Sequence, residues 1–273
     1  MKGPCRIAIS GKGGTGKTTI SALLIQALIG MGESPILAVD ADPNANLNEA
    51  LGLPLRETLG SMREDAFTKS IPPGMSRTGY IEYRFQQVLV ESEGVDLLAM
   101  GRPEGTGCYC FANRLLSEAM DLLTRHYRFV VMDMEAGMEH FSRGTIGIPD
   151  LLLVVTDPGA RGVRTAGRIH DLAITLGIPD ERIYLVMNRA GAEGGTEGIG
   201  ARGADRIGAA GADWIGARGI LASIPEDTEV ERADLDARPI VSIPEGSAAR
   251  RAVGNLADRV RSLCTTPPGY PSS

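Results

Sequence analysis

The sequence predicts an α/β fold: one doubly wound, mostly parallel sheet of about seven or eight strands, flanked by helices in a single domain. Three observations predict it. Short apolar runs bounded by turn residues alternate with helical periodicities along the chain, the pattern of buried parallel strands joined by crossover helices. The 35 glycines among 273 residues suit the tight strand-to-helix turns that such a fold requires. No linker-like stretch divides the core.

In order, Arg6–Ser10 reads as the first strand and Thr18–Ile29 as the helix after it. Ile36–Asp40 is the next strand, running into Asp40-Ala41-Asp42-Pro43. Asp96–Met100 follows, then helical spacing at Leu115, Ala119, Leu122 and Leu123. Phe129–Asp133 is an apolar strand with an aspartate at its carboxyl end. Leu151–Thr156 is another, followed by a helix over Val163–Leu176 and a strand over Ile183–Asn188. Gly219–Ile224 is a short strand stopped by Pro225. The last helix, Ser247–Leu263, carries Ala249, Val253, Leu256, Val260 and Leu263 on one face. Gly191–Gly211 is too rich in glycine for a long helix, with room for a short one at Ala201–Ala210. The domain is expected to span residues 1–264, and the Pro/Ser-rich 265–273 to be a disordered tail.

Composition narrows the function. A formal net charge of -6 argues against a broad nucleic-acid surface. No apolar run is long enough to span a membrane. The first residues lead straight into a strand, leaving no room for a secretory signal. Four cysteines in 273 residues do not make a disulfide framework. Cys5 and Cys264 stand in unrelated settings, and free thiols in such a fold favour a cytoplasmic location.

The chemistry is concentrated in Gly11-Lys12-Gly13-Gly14-Thr15-Gly16-Lys17-Thr18-Thr19, between a strand and a helix. A glycine-rich turn aims backbone N–H groups at phosphate oxygens, and the following helix adds its positive dipole end. Lys17 is placed to reach the β- and γ-phosphates and Thr18 to give a hydroxyl to Mg²⁺. This is the signature of a P-loop NTPase; a dinucleotide-binding turn would lack the lysine and threonine. Asp40 and Asp42 end a strand on the ligand side of the sheet. Asp40 is assigned to the metal shell and Asp42 to water activation, with helix capping as the alternative for either. Asp133 is expected to hold magnesium-bound water, and Gly137 to sense the γ-phosphate through its N–H. Asn188 can read the adenine edge or serve only as a turn residue. Pro225 and Glu226, in the loop Ile224–Asp227, are placed over the other side of the base. Residues 59–95 are less regular and are expected to form a mobile cap over the nucleotide side.

Taken together, the loop with its early lysine, Asp40 and Asp42, Asp133–Gly137 and Asn188 resemble the MinD/ParA group of deviant-Walker P-loop ATPases. That resemblance implies an ATP-bound homodimer in which Lys12 contacts phosphates in the partner's site. It also implies hydrolysis of ATP to ADP, with Lys12, Lys17, Asp42 and Asp133 as the catalytic set.

A second motif, Cys108-Tyr109-Cys110, points to a soft metal ion. Two thiolates in a turn can face one Ni²⁺ or Zn²⁺, and a symmetric dimer would supply four sulfurs. Out of context, two idle thiols explain the pair equally well. The surrounding residues narrow the choice: Gly107–Cys110 with Asn113, Met132–His140 and Arg143-Gly144-Thr145 resemble CooC-type accessory ATPases of carbon monoxide dehydrogenase. The resemblance implies a metallochaperone for a nickel enzyme, with Cys108 and Cys110 as ligands shared across a dimer that ATP and metal tighten. Residues 105–114 would form the metal-binding loop and helix start. Acetyl-CoA synthase is an equally fitting client. Neither the bridging cysteine of nitrogenase iron proteins nor the Cys-x-x-Cys of iron–sulfur scaffold ATPases occurs here. Glu135, Glu139 and His140 can relay γ-phosphate sensing, pack, or bind metal. The rival reading is a partitioning or positioning ATPase, for which Arg250, Arg251, Arg259 and Arg261 offer one small basic surface.

Overall fold

In the computed structural model, the described residues are 3–62, 72–102, 109–135, 147–191 and 219–265. They form one eight-stranded sheet, as the alternation predicts. The strands are β1 (Cys5–Gly11), β2 (Ile36–Asp40), β3 (Val90–Glu91), β4 (Val95–Ala99), β5 (Phe129–Asp133), β6 (Leu151–Thr156), β7 (Ile183–Ala190) and β8 (Ile220–Pro225). Their spatial order is β3-β4-β2-β5-β1-β6-β7-β8. All neighbours are parallel except the two-residue edge strand β3, which pairs antiparallel with β4 and carries no periodicity that a sequence could show.

The central strands are buried on both faces, which is why they read as unbroken apolar runs rather than alternating ones. Every residue of β2, β5 and β6 is buried. The helices α1 (Lys17–Gly30) and α7 (Ala248–Thr265) cover one face, with Ile20, Leu24, Leu28, Val253, Leu256 and Val260 in a shared core. On the other face lie α3 (Arg77–Val88), α4 (Tyr109–Leu123) and α5 (Ala160–Thr175), with Phe85, Leu115, Leu116, Ala119 and Ile169 against the sheet. Two short helices, α2 (Leu47–Leu51) and α6 (Thr228–Leu235), stand near the carboxyl ends of β2 and β8. The described part of the expected cap, residues 59–95, is anchored in the core by Leu59, Met62, Phe85 and Val88.

One expectation fails here. Cys5 and Cys264 are not unrelated: they form a disulfide across 259 residues of sequence, with Cα atoms 5.8 Å apart. It staples the start of β1 to the end of α7. The two residues meet because α1 and α7 pack side by side over β1, a proximity that no local pattern encodes. The argument from free thiols to a cytoplasmic location therefore does not apply to this pair. Among the described residues, no helix is long and apolar enough to cross a membrane.

Candidate nucleotide site

The parallel order brings the carboxyl ends of β1, β2, β5 and β7 to one edge, where ligands bind in open α/β sheets. β1 ends in the glycine-rich loop. Gly11 packs so tightly on β6 that an added Cβ would lie 2.2 Å from the Val155 carbonyl oxygen. Gly16 takes a left-handed conformation (φ 87°) immediately before α1. There it turns the chain so that α1 starts with no side-chain cap and no acidic residue in its first turn. The open N–H groups and the positive helix end thus face the cleft. Thr15 closes the loop on itself, donating through its hydroxyl to the Lys12 carbonyl (2.8 Å).

The cleft above this loop has a volume of about 1280 Å³. Gly13, Gly14, Gly16, Lys17, Thr18 and Thr19 line its floor. Asp42 and Asn44 line one wall, and Asn188, Arg189, Pro225, Glu226 and Asp227 another. Glu135 also lines it. Lys17 is buried at 9% exposure, whereas Lys12 points out of the loop as an exposed residue.

Two carboxylates lie beneath the floor. Asp133 is 2% exposed and accepts hydrogen bonds from Thr18 Oγ1 (2.6 Å) and Ser21 Oγ (3.1 Å). Asp40 is 1% exposed and accepts from the backbone N–H of Asp42 (3.0 Å) and of Leu47 (2.8 Å). The two residues are register partners on adjacent strands. Burial pushes Asp133 up from 3.8 to about 6, despite the hydroxyl of Thr18 and the charge of Lys17. Burial first, and then the repulsion of Asp133, push Asp40 up to about 7. Asp40 also braces the start of α2 through Leu47, which accords with the capping alternative, and it lies beside Asp133, which accords with the metal-shell assignment.

A hydroxyl above two buried, mutually repelling carboxylates is an all-oxygen donor set short of positive charge. Such a set fits Mg²⁺, which takes oxygen ligands and keeps part of its water shell. Thr18 would be the direct ligand, with Asp133 and Asp40 holding the metal's waters.

The remaining site residues fall as follows. Asn188 is 8% exposed, and its amide donates to the Thr15 carbonyl (2.8 Å). A Cβ on Gly16 would come within 2.3 Å of that amide nitrogen, so the two residues are fitted to each other. Asn188 thus braces the loop from the wall of the cleft. Pro225 and Glu226 end β8 on the same side. Asp227 ties the starts of two helices together: it accepts from Glu229 N at α6, and from Ser247 Oγ and Ala249 N at α7. Burial alone would raise its pKa, but these hydrogen bonds outweigh burial and lower it. Gly137, Glu139, His140, Arg143–Thr145 and Cys108 lie outside the described residues, as do 192–218 and 266–273. Cys110 belongs to the first turn of α4, but its side chain also lies outside them.

Sequence reasoning missed Ser21, Arg189, Asn44 and Arg102. Arg189 adopts a positive φ (54°) and donates to the Gly14 carbonyl (3.2 Å). Its signal was its place directly after Asn188, at a strand end on the ligand side. Ser21 is one helical turn beyond Lys17, on the face that meets β5.

Similarity to known proteins agrees with this geometry. Residues 7–240 match the family described as the CobQ/CobB/MinD/ParA nucleotide binding domain. An uncharacterised ATP-binding protein of Methanocaldococcus jannaschii is 39% identical over 258 residues, covering 93% of this chain and 97% of that protein. The carbon monoxide dehydrogenase accessory protein CooC of Rhodospirillum rubrum is 39% identical over 189 residues, covering 63% of this chain and 70% of CooC. Among solved structures, MinD of Pyrococcus horikoshii in complex with Mg-ADP superposes with a TM-score of 0.67 at 23% identity, covering 96% of this chain and 98% of that one. With its P-loop, its paired strand-end aspartates and its parallel sheet, the chain belongs to the CobQ/CobB/MinD/ParA nucleotide-binding family of P-loop ATPases.

Proposed function

We propose that this protein is a Mg²⁺-dependent ATPase that works as a homodimer and matures a nickel enzyme of the carbon monoxide dehydrogenase type, with nickel as its cargo. The observation that carries the ATPase reading is the stack of Lys17, Thr18 and the buried Asp133–Asp40 pair under an open glycine loop. Lys17 and the N–H groups of α1 bind the β- and γ-phosphates. Thr18, with Asp133 and Asp40 behind it, would hold magnesium, which would supply neutralisation of phosphate charge. Asp42, at the cleft wall, orients the attacking water. Lys12, exposed on the loop, is free to cross to the phosphates of a second subunit. Gly137 senses the γ-phosphate. Asn188 holds the loop and, with Pro225 and Glu226, encloses the base. The Mg-ADP of the Pyrococcus MinD structure supports the same nucleotide here.

The maturation role rests on Cys108-Tyr109-Cys110 and on the likeness to CooC. Cys108 and Cys110 from two subunits receive one Ni²⁺ or Zn²⁺, and ATP-driven closure alters how that cargo is held. Thiolate ligands must shed protons, so affinity falls as pH drops. A partitioning or positioning role is the second reading, supported by 30% identity over 186 residues to MinD of Thermotoga maritima.

The experiment is metal content against oligomer mass for the parent and a Cys108→Ser/Cys110→Ser protein. The maturation reading expects about one metal per dimer in the parent and none in the variant, with basal ATP hydrolysis retained. One tightly bound metal per monomer, unchanged in the variant, would overturn the shared site. Co-purification of the native protein with a nickel enzyme separates the two readings.

A further inference from the structure

We propose that Arg102 is a positioning residue for Asp42, acting through Asn44. The inference rests on the reading of Asp42 as the group that orients the attacking water.

The loop after β2 is held by a short chain of polar contacts. Asp42 Oδ1 accepts two hydrogen bonds from Asn44, one from its backbone N–H (2.8 Å) and one from its side-chain amide (2.9 Å). This fixes the rotation of the Asp42 carboxylate and leaves Oδ2 as the oxygen available to a water. An amide that donates through its nitrogen must present its oxygen on the other side. That oxygen, Asn44 Oδ1, accepts from the Arg102 guanidinium. Without that contact the Asn44 side chain can rotate, and the second hydrogen bond to Asp42 is lost with it. Arg102 therefore selects the Asn44 orientation that clamps Asp42.

Arg102 itself rides on a rigid base. β4 pairs with β2 in parallel up to Ala99 opposite Asp40. Beyond the last strand pair, Met100 N donates to the Asp40 carbonyl (2.8 Å) and Gly60 N to the Met100 carbonyl (2.7 Å). A Cβ at Gly60 would lie 2.5 Å from the Arg102 carbonyl oxygen, so that backbone is packed directly on Gly60. The guanidinium is exposed, but its Cα is fixed relative to Asp40. Arg102 follows the carboxyl end of β4, where Ala99 pairs with Asp40, and so lies on the ligand side of the sheet.

The test is steady-state ATP turnover of the full-length protein carrying Arg102→Met, Asn44→Ala, both changes, Arg102→Lys or Asp42→Asn. Arg102→Met is expected to lower kcat roughly tenfold or more, as small misplacements of a catalytic group do. KM and the melting temperature should change little, because the residue touches neither the phosphate floor nor the core. Arg102→Lys should restore part of the rate, since an ammonium can still donate to Asn44 Oδ1. The double variant should be no slower than Asn44→Ala alone, because both act on one path. Losses that multiply, a loss expressed mainly in KM, or an unchanged kcat would each overturn the inference. Asp42→Asn separates the two failures. If it turns over normally, the role of Asp42 is wrong; if it is slow while Arg102→Met is normal, only the positioning role of Arg102 is wrong.

Discussion

Replacing Asp133 by Asn should make the nucleotide-free protein more stable at pH 8 while stopping productive catalysis. Asp133 is nearly fully buried, next to Asp40, and its pKa is raised from 3.8 to about 6. A carboxyl that holds its proton more tightly in the folded state stabilises that state fully below the unfolded pKa. That contribution is lost as pH rises through the folded pKa. For Asp133 the loss runs from about pH 4 to about pH 6, and for Asp40 to about pH 7. A shift of about two units corresponds to roughly 3 kcal/mol at pH 8. Asn carries no charge, keeps one oxygen to accept from Thr18 or Ser21, and lets the other hydroxyl rotate to accept from its amide. Allowing about 1 kcal/mol for a hydrogen bond weakened by the loss of charge, the net gain is about 2 kcal/mol. In a domain of this size that is a rise of roughly 4–8 °C in melting temperature. The assay is thermal unfolding of parent and variant without nucleotide at pH 8 and at pH 4.5. The gain should shrink strongly at the lower pH, where the parent carboxyl is already protonated. Mg-ADP should then stabilise the parent more than the variant, because the cation relieves the repulsion only where it exists. A variant of equal or lower stability at pH 8, or a difference that does not depend on pH, would refute the electrostatic argument.

Other outcomes follow from the same geometry. Lys17→Ala should remove most nucleotide binding, whereas Asp42→Asn should bind ATP and hydrolyse it slowly; calorimetry and phosphate release separate the two. Lys12→Ala should bind nucleotide but dimerise weakly with ATP and magnesium, and sedimentation matching the parent would remove its cross-subunit role. Cys264→Ser should lower stability in non-reducing urea titrations, since the Cys5–Cys264 bond closes a loop of 259 residues. Chain entropy puts the loss at roughly 5 kcal/mol, with about 2–4 kcal/mol more typical of disulfides. Equal midpoints with and without reductant would show that the bond does not form.

Some of this protein is legible in the sequence because the relevant physics is local. Fully buried parallel strands must be apolar on both faces, so β2, β5 and β6 read with the bounds the structure has. A glycine loop ending in Lys17-Thr18 requires strand, turn and helix in succession, and aspartates that close apolar strands necessarily gather at one edge of a parallel sheet. Ala249, Val253, Leu256 and Val260 recur at helical spacing, and all four are buried. Strand β3 escaped because two residues paired at an edge have no periodicity.

What tertiary structure alone decides is which distant groups meet. Asn188 reaches Thr15 across 173 positions, and Arg189 reaches Gly14 across 175. Arg102 meets Asn44, and Cys5 meets Cys264, only because β4 lies beside β2 and α7 packs beside α1. The raised pKa values of Asp40 and Asp133 are likewise not properties of either residue. They arise because β2 and β5 are neighbours in the sheet although Asp40 and Asp133 lie far apart in the sequence, and because the helices on both faces keep water away. The sequence by itself determined the layers, the phosphate loop and the identity of the chemical groups. Strand order, a product of chain-wide packing rather than of any segment's preference, decided which of those groups act on one another.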